Sequence, residues 1–72
     1  MTVESYYGTK LIKTDFTPTL LTDKDVIDRI VDLQDNYPNS FVSIRIIGSN
    51  IPTVLYTYDS TMEKLNKKQW SI

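Results

Sequence analysis

Between Thr22 and Pro38 apolar and acidic residues recur with the period of an α-helix, and this segment restricts the fold more than any other. At about 100° per residue, Val26, Ile27, Ile30, Val31, Leu33 and Tyr37 share one side. Asp25, Asp28, Asp32 and Asp35 share the other. Thr22 and Asp25 have capping-box spacing, with Asp in place of Glu or Gln, and Asp23 and Asp25 suit the positive end of the helix dipole. Asn36-Tyr37-Pro38-Asn39 stops the helix, because the residue before proline resists the α region. The pattern predicts a helix over roughly 23–36 whose apolar stripe must be covered by the rest of the chain.

The flanking segments supply a sheet. Ser40 to Gly48 alternates at period two, with Val42, Ile44 and Ile46 on one face and Phe41, Ser43, Arg45 and Ile47 on the other. Gly48-Ser49-Asn50 is a turn, and Ile51 to Tyr58 returns as a second strand. A three-residue loop pairing Ile47 with Ile51 puts Arg45 opposite Thr53, Ser43 opposite Leu55 and Phe41 opposite Thr57. Val54, Tyr56 and Tyr58 then join the greasier face, which the helix covers. Pro52 hints that its strand is an edge there.

Residues 3–16 read as extended, with Lys10, Ile12, Thr14 and Phe16 on one face. Gly8-Thr9 serves as the turn of a hairpin between 3–7 and 10–16, or else marks a bulge in one longer strand. Ser60-Thr61-Met62-Glu63 is a full S-x-x-E capping box and predicts a second helix over roughly 61–70. Met62, Leu65 and Gln69 would share one side beside Trp70. The expected order is β(β)-α-β-β-α: a single α+β domain over 1–72, with a small antiparallel or mixed sheet of three to four strands and two helices.

Composition limits the chemistry. With no Cys and no His, the chain has no thiolate or imidazole for metal binding, no Cys nucleophile and no Ser-His-Asp triad. Gly8 and Gly48 are the only glycines, too few for a phosphate loop. A net charge of −1 argues against a protein devoted to duplex nucleic acid. No apolar run approaches the roughly 18–20 residues of a membrane span. Met1-Thr2-Val3-Glu4-Ser5 lacks the start of a signal peptide, so a cytoplasmic location is expected. Lys outnumbers Arg, Ile and Tyr are frequent and Ala is missing, a bias that suits an AT-rich bacterial or phage genome.

Function is therefore expected at surfaces. The sheet face away from the helix carries Phe41, Arg45, Ile47, Ile51 and Leu55 among Ser43, Thr53 and Thr57, a mixture suited either to a dimer or partner contact or to cover by the second helix or the N-terminal hairpin. Trp70 is a second apolar candidate. Asp28, Asp32 and Asp35 form an acidic stripe that is either a solvated face or a docking surface for a basic partner; a straight helix converges too few oxygens for a metal. Residues 15–35 hold six Asp against Lys24 and Arg29, while 60–72 hold three Lys against Glu63, so complementary patches could orient an association.

The leading expectation is a non-enzymatic interaction protein, a homodimer that binds or modulates a partner protein, such as a bacterial or phage accessory inhibitor, without cofactor or metal. The alternatives are a single-strand nucleic-acid binder using its tyrosines and a small-ligand binding or sequestering protein with a pocket between subunits. Arg45→Glu is expected to weaken self-association, and Ile30→Asp to unfold the chain.

Overall fold

The computed structural model describes residues 1–38 and 41–70, Trp70 by its backbone alone. Asn39 and Ser40, placed above in the helix stop and at the start of a strand, lie outside the described residues. The elements are β1 (Thr2–Tyr7), β2 (Lys10–Phe16), α1 (Asp23–Asn36), β3 (Val42–Ile47), β4 (Thr53–Asp59) and β5 (Lys64–Trp70). All four strand pairings are antiparallel, in one sheet of order β2-β1-β3-β4-β5 with α1 against one face. This corrects the expected count: among the described residues five strands and one helix replace three to four strands and two helices.

The helix forms where the pattern places it. Thr22 Oγ1 accepts from the Asp25 N–H at 3.2 Å, and Asp25 Oδ2 accepts from the Thr22 N–H at 3.1 Å, completing the capping box. The backbone hydrogen bond from Thr22, then the contact with its side chain, hold the Asp25 carboxyl below its ordinary value. A lowered pKa gives a contribution to stability that is full above the ordinary carboxylate value and is lost as pH falls through the folded one. Thr22→Ala is therefore expected to melt about 4–8 °C lower near neutral pH. Only the share that the Thr22 side chain lends the carboxylate is missing from the variant, and wild type loses that share as the pH falls through the lowered Asp25 value, so the gap narrows in acid.

Val3, Val26, Ile30, Val42, Ile44 and Ile46 form the buried core, flanked by Leu21, Leu33, Tyr37, Tyr56, Tyr58 and Leu65. Val31, assigned above to the apolar stripe, is exposed. Three polar contacts pin the helix across the sheet: Arg29 to Asp15 of β2 at 3.0 Å, Gln34 Nε2 to the Tyr58 carbonyl of β4 at 3.2 Å, and Lys67 of β5 to Asp23 at 2.8 Å. Tyr37, the C-cap, packs edge-on against Tyr7 with ring centroids 4.9 Å apart.

The N-terminal segment is the hairpin, with Gly8 at φ +60° in the first position of a two-residue turn. A register shift between Ser5 and Tyr6 leaves Ile12 without a partner in the β1–β2 ladder. Leu11 pairs with Tyr6 and Lys13 with Ser5, so the expected single face of Lys10, Ile12, Thr14 and Phe16 is broken. The β3–β4 connection is two residues longer than expected: Arg45 pairs with Leu55, not Thr53. A shift of two preserves side-chain parity, so the assignment of faces survives. Pro52 precedes β4, where its missing N–H costs no ladder bond, and β4 is an interior strand.

The second helix is overturned by local chemistry. Asp59 Oδ1 accepts from the N–H groups of Thr61 and Met62 at 3.0 and 3.2 Å, which closes a turn and takes one of the donors, Met62 N–H, that a Ser60 cap would use. Glu63 stands at φ +51°, which no first turn of a right-handed helix permits. A helix of ten residues is too short to gain much by itself, whereas β4 offers an unpaired edge that β5 fills from Thr53–Trp70 to Asp59–Lys64.

Candidate interaction surface

Strand alternation and register decide what stands on the face away from α1. Thr2, Glu4 and Tyr6 of β1 lie across from Ile47, Arg45 and Ser43 of β3. Leu55 of β4 lies across from Arg45, and Lys68 of β5 across from Leu55. Leu11, Thr14 and Phe16 extend the face onto β2. Among the described residues no element covers it: the segment 61–70, predicted as a helix, contributes the fifth strand, and the N-terminal hairpin joins the same sheet.

At the centre is a charged cluster. Arg45 Nε donates to Glu4 Oε1 at 2.6 Å, and Nη2 reaches the same carboxylate oxygen. Nη2 also donates to the Tyr6 hydroxyl at 2.9 Å, which in turn donates to Glu4 Oε1 at 3.1 Å. The guanidinium carbon lies 5.5 Å from the centroid of the Tyr6 ring. Burial, and next the hydrogen bond to Glu4, push the Tyr6 phenol above its ordinary value, with the Arg45 charge opposing, so the phenol keeps its proton and its donor role. Glu4 and Arg45 side chains are 15% and 26% exposed, too sheltered for an ordinary surface pair.

Beside the cluster lies a cleft of about 320 Å³ lined by Tyr6, Gly8, Thr9, Phe41, Ser43, Arg45 and Leu55. Phe41, 67% exposed, stands at its rim and also borders a more polar hollow with Thr57, Asp59 and Asn66. Phe16 and Leu11 add exposed apolar surface on β2. The two sheet edges carry Lys10 and Lys13 on β2 and Lys64, Lys67 and Lys68 on β5, a composition that opposes edge-to-edge pairing with another chain.

Of the residues picked from the sequence, Phe41, Arg45 and Leu55 meet around the cleft, and Ile47 lies further along the same face. The Trp70 backbone pairs with Thr53, and its side chain lies outside the described residues. Asp28, Asp32 and Asp35 belong to the helix layer and are exposed, with Asp28 paired to Lys24 at 2.9 Å. Among the described residues no three carboxylates gather into a cation site. Glu4, Tyr6 and the Gly8-Thr9 turn are additions from the structure. Glu4 and Tyr6 do alternate on β1, but only the β1–β3 pairing brings them to Arg45.

No family model matches the chain, and no curated protein or solved structure shows significant similarity to it. Among the described residues no helix is long and apolar enough to cross a membrane.

Proposed function

We propose that the protein is a non-catalytic interaction module of the cytoplasm, which self-associates and modulates a partner protein through its open sheet face. The observation that carries this reading is the apolar rim of Phe41, Leu55 and Tyr6 around a cleft on an uncovered five-stranded face. Exposed aromatic residues next to a sheltered Arg are the composition of contact hot spots. Phe41→Ser leaves the core untouched, so it tests the face and not the fold. Capture from a bacterial extract by the immobilised variant is expected to fall about tenfold relative to wild type. Equal capture by the two would remove the reading.

A second reading has one specific support: Tyr6, Phe41 and Arg45 share a face with Lys64 and Lys68, an arrangement on which unpaired bases could stack. Titration with oligothymidine separates the two, since a steep salt dependence is required of nucleic acid and silence at low salt excludes it.

A further inference from the structure

We infer that the cleft is filled by Phe41 of a second copy of this chain, each protomer of a two-fold dimer inserting its Phe41 into the other. This rests on the reading of the open face as an interaction surface and specifies its occupant. A projecting aromatic residue and an apolar-rimmed cleft lie side by side on the same face, the self-complementarity that a two-fold contact needs.

Charge and symmetry agree. Glu4 and Arg45 neutralise each other within one protomer, so two such centres meet without like-charge repulsion. The central strand of the five is β3, and Phe41 directly precedes it. A two-fold axis parallel to the strands, passing between Phe41 and the cleft beside it, keeps the Phe41 ends of both protomers together and sets each Phe41 over the other's cleft. The same axis lays β2 of one protomer, with Leu11 and Phe16, over the lysines of β5 of its partner, which keeps Lys64 and Lys68 away from their own copies. An axis across the strands would oppose lysine to lysine and part knob from cleft. Five strands at about 4.8 Å and seven residues at about 3.3 Å give a footprint of about 24 by 23 Å, which with side-chain relief approaches the roughly 800 Å² per partner of a stable contact.

The test is a complementation. Phe41→Ala removes the knob, and with it one side of its own cleft, but leaves the Tyr6, Thr9, Ser43, Arg45 and Leu55 lining in place; Leu55→Trp fills the cleft and keeps the knob. By sedimentation equilibrium, wild type is expected to show a concentration-dependent dimer mass, and each variant alone to dimerise about 30-fold more weakly. An equimolar mixture restores one of the two insertions and is expected to dimerise more tightly than either variant alone. A mixture no tighter than its components overturns the inference, as does a wild type that stays monomeric at millimolar concentration. The second result also removes self-association from the proposed function and leaves the modulation of a partner protein to the capture comparison, which reads a different partner.

Discussion

Ile30→Asp is expected to yield a chain without cooperative unfolding, a far-UV spectrum lacking the helical signal and collapsed amide dispersion. Ile30 is fully buried at the centre of α1, one of only six buried apolar residues among those described. Removing the side chain alone costs about 2–5 kcal/mol. A carboxylate there would stand among apolar side chains, with the neighbouring Arg29 already engaged by Asp15 of β2. Burying it adds a penalty of several kcal/mol or forces the helix off the sheet. A core of this size leaves roughly 3–5 kcal/mol in all, so the sum exceeds what is available. Ile30→Val, losing about 0.5–1.5 kcal/mol, is expected to stay folded with a lower melting midpoint. A folded Ile30→Asp variant would show that α1 packs by another side.

The second large effect is at Arg45, and it revises what that residue reports. The sequence presents Arg45 as an outward contact, so that Arg45→Glu should weaken association. In the fold Arg45 is the partner of Glu4 on the adjacent strand, and the substitution sets two carboxylates opposite each other while depriving Tyr6 of its donor. The pair is partly exposed, so the cost lies between that of a surface pair and a buried one, about 2–3 kcal/mol. Arg45→Glu is expected to unfold at markedly lower urea concentration than wild type. The exchange Glu4→Arg with Arg45→Glu is expected to recover part of the loss. Equal stability of the single and exchanged variants would mean that the pair contributes nothing. For that reason Phe41 and Leu55, not Arg45, are the positions at which to read the function of the face.

What the sequence disclosed and what it hid divide along physical lines. The helix was legible because Thr22, Asp25 and Pro38 punctuate a period that α1 alone satisfies. The faces of β3 and β4 were legible because alternation survives an even slip in register. The second capping box was deceptive: Ser60 and Glu63 have the spacing, but Asp59 one residue earlier binds the Thr61 and Met62 amides, the second of which a Ser60 cap would need, and makes a turn. The Glu4–Tyr6–Arg45 cluster was hidden because its members lie about forty positions apart, and no local pattern records which strand β1 will sit beside.

That seam between β1 and β3 also governs how fast the protein can form. Every other ladder closes through a short connection, whereas joining Thr2 to Ile47 must first bring together segments separated by the whole helix. Such non-local closure is the slow step in small domains. A chain still emerging from the ribosome, with residues beyond Tyr37 not yet free, has the sequence of the hairpin and the capped helix, each marginal by itself, but nowhere to hide Val3 or Ile30. Its period of greatest risk for aggregation ends only when β3 arrives.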